Sequence, residues 1–383
     1  MSTIPVRLGI QQRVLPVYRA PFFDTLAGAC EGGLSIFAGA PRPEEAIEDR
    51  VTLQKARLAS AHNIHILKGP FYLCWQAGLI HWLATWQPEV LIVEANPRYL
   101  HTPAAVRWMH DHRRPVIGWG LGAPQNKGRL AGLRNRGRRR FLRQFDTMLT
   151  YSLQGAREYQ VAGFPANRVF IAPNAAAARP THPLPERPET FANQRATALF
   201  VGRLQPRKRV DLLLRACAAL PVGDRPDLWI VGDGPARSEL ESLAHQVYPK
   251  THFFGAHHGA DLEPFFRQAD LFILPGTGGL AVQQAMSFGL PVLVAEADGT
   301  QSDLVRPSNG WLIRPGDLDS LIFALRQALE DPIRLRRMGR ESYRMVAEEI
   351  NLEAMVDGFC QAIHAALAEQ SQTDGPIRKS RRR

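Results

Sequence analysis

Residues 271–294, LFILPGTGGLAVQQAMSFGLPVLV, decide the fold. An apolar run ends at Leu274, a loop carrying Gly276, Gly278 and Gly279 follows, and a helical pattern opens near Leu280. Gly289-Leu290-Pro291 closes that helix, and Val292–Val294 begins another apolar run. A strand, a glycine-rich turn, a helix and a second strand within so few residues form one parallel crossover unit. Free backbone N–H groups and the positive dipole end at the start of such a helix make an anion site. Gln284 places a neutral amide about one turn into that helix.

The same alternation extends in both directions. Runs at Val6–Ile10, Val90–Glu94, Val116–Gly118, Thr147–Tyr151, Val169–Ala172, Ala198–Val201, Leu228–Val231 and Leu271–Leu274 are rich in Val, Ile and Leu. They read as strands covered on both faces. Amphipathic stretches at Asp211–Leu220, Ala236–Tyr248 and Val282–Phe288 lie between them. The class is therefore α/β. Residues 178–194, with four prolines and no apolar periodicity, read as an extended linker. The expected division is a first domain over 1–177, a linker over 178–194, a second domain over 195–349, a final helix over 350–368 and a basic disordered tail over 369–383.

Composition narrows the function. The chain has 383 residues, four widely spaced cysteines and a formal net charge of +11. No C-x-x-C pair occurs, which argues against a zinc ribbon or disulfide scaffold and suits a reducing compartment. No run reaches the length of a membrane span, and the N-terminus lacks the pattern of a secretory signal. The expected location is cytoplasmic, with peripheral placement on the inner membrane face. The surplus charge is concentrated. Residues 127–143 hold eight Lys/Arg and no acid, and residues 376–383 hold five and no acid. The rest of the chain is near neutral, so these segments are expected to meet a polyanion.

Other candidate residues sit where apolar runs end. Arg203 and Lys208 lie in VGRLQPRKRV, where a forked guanidinium and a point-charge ammonium would complement a diphosphate. A solvated basic turn is the alternative, since Arg207 and Arg209 are alongside. Gly232-Asp233-Gly234-Pro235 allows a tight turn from strand to helix, and Arg237 falls where a dinucleotide fingerprint needs its third glycine. In the first half, Arg13, Tyr18, Arg19, Glu94, Asn96, Asn126 and Lys127 follow apolar runs and are candidates for a second ligand. His257-His258 has no accompanying ligand run, and no metal site is expected.

Taken in order, VGRLQPRK, IVGDGP, FFG, the 271–294 stretch and NGWLIRPGD resemble the donor-binding half of retaining glycosyltransferases, specifically glycosyltransferase family 4 of the GT-B fold. RPVIGWGLG and FDTMLTYSLQGAREYQVAGFPANRVFIAPN resemble the family's first domain more loosely. The resemblance implies two Rossmann-like domains facing across a cleft, with the last helix returning to the first. It implies a UDP- or GDP-sugar co-substrate, no bound cofactor and no metal. Arg203 and Lys208 would hold the diphosphate as the catalytic cations. Gly202, Gly232, Gly278, Gly279, Leu280 and Gln284 would line the donor, with Phe254 and Gly255 near the base.

Three positions depart from the family. Gly276 and Gln284 stand where it usually has two glutamates, and Leu121 stands where it often has a sugar-contacting histidine. The expected activity is transfer to a glycan or lipid-linked acceptor in polysaccharide or glycolipid synthesis. The alternative is a GT-B scaffold without transferase activity, binding nucleotide-sugar or acting like an epimerase. Residues 127–143 would dock on an anionic membrane. A solvated helix is the bland reading, and nucleic acid is not expected, because no recognised nucleic-acid motif accompanies the arginines.

Overall fold

The structure, a computed structural model, describes residues 3–45, 47, 51–125, 128–278, 280–297 and 300–373. The chain forms two units, Met1–Ala176 with Leu352–Arg383, and Ala177–Asn351.

Among the described residues unit 1 holds eight strands: β1 Leu8–Val14, β2 Leu34–Gly39, β3 Arg57–Ile66, β4 Leu73–Ala77, β5 Val90–Glu94, β6 Val116–Gly120, β7 Thr147–Thr150 and β8 Val169–Ile171. Their order is β4-β3-β2-β1-β5-β6-β7-β8. Every pairing is parallel except β3 with β4, which is antiparallel. Apolar clusters cover both faces of the sheet. One gathers Phe22, Phe23, Trp119 and the helix Leu352–Thr373, with the Phe359 ring 4.9 Å from both Phe22 and Trp119. The other gathers Phe37, Trp82, Phe145 and Met148. The four cysteines are buried free thiols.

Unit 2 holds β9 Thr197–Val201, β10 Asp227–Val231, β11 Thr251–Gly255, β12 Leu271–Leu274, β13 Val292–Ala295 and β14 Gly310–Ile313, in the order β11-β10-β9-β12-β13-β14. All five pairings are parallel. This is the doubly wound arrangement, whose strand order reverses between β9 and β12. Both units are thus α/β, and together they make a two-domain Rossmann-like GT-B fold.

Two expectations need correction. Residues 178–194 are not a spacer outside the second unit but a strap fastened to it. The Arg187 guanidinium donates to the carbonyls of Ala269, Phe266 and Phe288 at 2.8–3.0 Å, and the Tyr343 hydroxyl donates to the His182 carbonyl at 2.7 Å. Beneath the strap, Arg336 pairs with Asp270 at 2.7 Å, with both side chains buried. The second correction concerns the tail, because the last helix continues through 369–373 to Thr373. Glu369 and Gln370 are good helix formers, and Glu369 pairs with Arg168 of the same unit. Residues 374–383 lie outside the described residues.

Candidate functional site

In a doubly wound sheet, ligands bind beyond the carboxyl ends of the strands where the order reverses. In unit 2 that point is flanked by the loop after β9, with Arg203 and Lys208, and the loop after β12, with Gly276 and Gly278. The two loops touch. The Thr277 N–H donates to the Arg207 carbonyl at 3.0 Å, and the Arg207 guanidinium reaches the Thr277 hydroxyl at 3.3 Å. A Cβ on Gly278 would collide with Lys208 Nζ, and one on Gly276 would stand 2.5 Å from the Lys208 carbonyl carbon. Glycine at both positions is thus what lets the ammonium and its backbone lie over the glycine loop.

Lys208 is half-buried. Burial, with the neighbouring Arg207 adding to it, lowers its pKa from 10.5 to about 8. Arg207 is engaged by Gln205 and Thr277, whereas Arg203 is exposed and makes no hydrogen bond or ion pair among the described residues. One cation of this loop is therefore free, and a second is held poorly solvated over backbone.

The neighbouring turns hold this loop in place. Gly202 N–H donates to Val231 O at 3.0 Å, Leu204 N–H to Asp233 O at 2.9 Å and Gly232 N–H to Gly255 O at 2.7 Å. A Cβ on Gly232 would strike the Gly202 carbonyl. Gly202, Gly232 and Gly255 thus join three adjacent strand ends. Phe254 on β11 is 40% exposed and packs edge-on to Phe265 at 4.9 Å, so it offers an open ring at the same edge. Leu280 opens the helix Leu280–Ser287 and is partly exposed, and Gln284 is half-buried. Gly279 lies outside the described residues. Among the described residues no group of three metal-ligating side chains occurs, and His257 packs on the Phe265 ring at 5.0 Å.

Unit 1 reverses its strand order between β1 and β5, and Arg13 and Glu94 meet there. The Arg13 N–H donates to the Glu94 carboxylate at 2.7 Å, and the Arg13 guanidinium pairs with Glu45 at 2.8 Å. Desolvation pushes the Glu94 carboxyl up to about 7, against the opposing influence of Arg13 and the Tyr99 hydroxyl. Burial works the same way on Glu45, but bonds from Arg13 and Arg42 outweigh it and hold that carboxyl at about 2. Sequence reasoning missed Arg42 and Glu45, which share one turn, and Tyr72 and Tyr99, which come from two other segments, because no motif links the three.

The remaining first-half candidates are scattered. Arg19 is 6% exposed: its guanidinium donates to Asn174 Oδ1 at 2.6 Å and lies over the Tyr18 and Tyr151 rings. The Arg19 guanidinium is therefore engaged within the unit, where it also reaches Met355 Sδ at 3.5 Å. Tyr18 is exposed, Asn96 accepts from the Arg98 N–H at 3.1 Å in a local turn, and Leu121 is exposed after β6. Asn126 and Lys127 lie outside the described residues. The basic segment contains the helix Ala131–Leu142, with Leu133, Arg134, Arg136, Arg139 and Arg140 exposed. Among the described residues no helix is long and apolar enough to cross a membrane.

The chain is similar to known proteins in sequence and in fold. Residues 185–345 match the family described as "Glycosyl transferases group 1". The chain is 34% identical over 166 residues to a GDP-mannose-dependent monoacylated alpha-(1-6)-phosphatidylinositol monomannoside mannosyltransferase of Corynebacterium glutamicum, covering 40% of this chain and 43% of that protein. It is 28% identical over 314 residues to a D-inositol 3-phosphate glycosyltransferase of Nocardia farcinica, covering 77% and 66% respectively. The chain spans less than half the length of the first curated relatives it matches. Anabaena Alr3699/HepE in complex with UDP superposes with a TM-score of 0.65 at 16% identity, covering 95% of this chain and 100% of that one.

Proposed function

From a chain with a glycosyl transferases group 1 domain over residues 185–345 and a GT-B fold, we propose a retaining glycosyltransferase. It moves a sugar from a UDP- or GDP-sugar to a glycan or lipid-linked acceptor, in cell-surface polysaccharide or glycolipid synthesis. The observation that carries the proposal is Lys208 lying over Gly278 where the strand order of unit 2 reverses, with Arg203 on the same loop unpaired among the described residues.

In this reading the bond from the sugar's anomeric carbon to the diphosphate oxygen breaks while the acceptor oxygen attacks the same face. The acceptor's proton passes to the departing diphosphate. Arg203 and Lys208 oppose the negative charge that grows on that diphosphate, and backbone N–H groups at the start of the helix Leu280–Ser287 add to it. Two protein cations carry the neutralisation, so the reaction runs without a metal. Gln284 bonds the ribose and Phe254 borders the base. Arg13 and Glu94 face the acceptor from unit 1. The relative named for a phosphatidylinositol mannoside supports a lipid-linked acceptor, reached from the inner membrane face through residues 127–143.

The test is a panel of UDP- and GDP-sugars with wild type, Arg203→Ala and Lys208→Ala. Each substitution is expected to cost at least about a hundredfold in kcat/KM and to remove most of the nucleotide-induced thermal shift. If no nucleotide shifts the wild-type melting temperature, the donor site is misassigned. One observation favours the second reading, a binding or epimerase-like scaffold: Gly276 leaves no space for a glutamate side chain. Stable donor binding with no transfer to any membrane extract would select it.

A further inference from the structure

The longest acid-free stretch of the first half is unrelated to the arginine-rich segment. From Val51 to Pro88 there is no Asp or Glu, only Lys55, Arg57, Lys68 and three histidines among apolar and aromatic residues. This stretch builds the β3–β4 hairpin. On its outward face Ile64 and Trp75 stand opposite each other in register, 43% and 42% exposed. At its tip Leu67 and Phe71 are 63% and 75% exposed, and Leu100 joins the patch beside β4. Isolated exposed apolar residues need no explanation, but a contiguous patch marks an interaction surface.

The hairpin is fixed in this orientation. On its inward face the Gln76 side chain donates to the Gln12 carbonyl at 3.0 Å and to Asn63 Oδ1 at 2.8 Å, so a one-residue slip would expose that network. Leu67 sits at φ 60°, a conformation a leucine adopts at a cost, and there it points into solvent. The outer edge of β4 is already bonded at Cys74, which donates to Arg98 O and accepts from Leu100 N–H, both at 3.0 Å. Strand addition by a second copy is therefore a poor use for this surface.

Charge separates the remaining occupants. At the patch, Lys68 at the tip and Arg98 beside β4 are exposed, whereas Arg57 lies at the far end of β3 over the Trp86 ring. The nearest acids, Glu44 and Glu45, are ion-paired with Arg42 and Arg13. An apolar tip, a tryptophan at its waist and an all-cationic rim match an anionic bilayer interface, with acyl chains beyond the headgroups. β3 also ends at the same carboxyl-terminal end of the parallel sheet as β6, four places along the strand order, and from β6 the chain leads to exposed Leu130 and Leu133.

We propose that the β3–β4 hairpin is an interfacial membrane anchor, inserting Leu67 and Phe71 among the acyl chains of an anionic bilayer with Trp75 at headgroup depth. It gives the apolar half of membrane attachment, and the 127–143 segment gives the electrostatic half. The inference rests on the membrane placement proposed above and is independent of the donor assignment.

The full chain is sedimented with vesicles of phosphatidylcholine alone or mixed with phosphatidylglycerol, at low and high salt. Leu67→Ser with Phe71→Ser is expected to weaken partition to the mixed vesicles at least about tenfold and to abolish the salt-resistant fraction. Arg138→Ala, Arg139→Ala and Arg140→Ala together remove only the salt-sensitive fraction. Lipids brominated on the acyl chains quench part of the wild-type tryptophan fluorescence, and Trp75→Phe removes that part. The proposal is overturned if the serine variant partitions like wild type, or if quenching is the same in Trp75→Phe. It is also overturned if the patch instead holds a dimer that the serine variant dissociates in sedimentation velocity without vesicle binding. No binding of wild type to either vesicle defeats both membrane readings, whereas binding that only the arginine variant weakens defeats this one alone.

Discussion

On the proposed reading Lys208 serves a ligand and the fold with opposite signs, which makes Lys208→Met a discriminating perturbation. Its ammonium is partly stripped of water, with the positive charge of Arg207 beside it, and its folded-state pKa is about 8 instead of 10.5. Keeping it charged at neutral pH therefore costs the folded state up to about 3 kcal/mol, and less where residual water relaxes the site. Methionine keeps most of the stem, is shorter by one atom and so avoids the crowding at Gly278, and carries no charge. The melting transition of unit 2 should rise by about 3–10 °C at neutral pH. Because the folded pKa lies below the unfolded one, the penalty is complete below about pH 8 and fades between about 8 and 10.5. The methionine advantage must fade over the same window. Scanning calorimetry at pH 7 and near pH 10, with and without UDP or GDP, reads both halves. A variant less stable than wild type at neutral pH, or a gain equal at both pH values, refutes the desolvation argument. A nucleotide shift that survives in Lys208→Met refutes the phosphate role.

Three further predictions concern other positions. Gly276→Glu, which restores the family's usual acid, should lower kcat/KM at least about tenfold and cost about 1–3 kcal/mol, because its Cβ meets the backbone of residues 207–208; higher activity would show that the loop yields. Glu94→Gln should be stabilising by about 1–3 kcal/mol above pH 7 and neutral below pH 4.5, since a carboxyl raised to about 7 loses folded-state stability as pH rises through that window; equal stability of variant and wild type in urea melts at both ends would contradict it. Asp270→Asn should cost about 3–5 kcal/mol by leaving buried Arg336 unpaired beside Arg187, and an unchanged urea midpoint would show that the pair is dispensable.

The fold was legible where strands are covered on both faces. β5 and β12 match the apolar runs residue for residue, and β6, β7, β9, β10 and β13 differ by a residue or two at their ends. The strands missed are those whose residues do not form such runs. β3 alternates half-buried and exposed positions along ten residues, β2 is broken by Ser35 and Gly39, and β11 alternates as well. A search for continuous Val, Ile and Leu passes over strands with a wet face, such as β3 and β11, and also over interior β2, which is buried but built partly of Ser, Ala and Gly.

The site divides along the same physical line. Each of the two loops proposed to hold the donor is contiguous in sequence, so Arg203, Lys208 and the 276–279 glycines could be named from motif and spacing. What spacing does not carry is that the two loops touch and that the Lys208 amine occupies the space a side chain at 278 would fill. The first-half cluster is different in kind. Arg13, Arg42, Glu45, Glu94 and Tyr99 come from a strand end, a short turn, another strand end and a loop, and only strand order gathers them. The charge distribution gains a third part as well. The arginine-rich run stands out in sequence because it is dense, whereas the 51–88 stretch is basic only through lacking acids, and folding turns that absence into a cationic rim around exposed aromatic and aliphatic side chains. On the proposed membrane reading, a segment that is mildly basic by composition thereby becomes the more selective surface, because bilayer attachment needs apolar insertion as well as charge, and the hairpin brings both together at its tip.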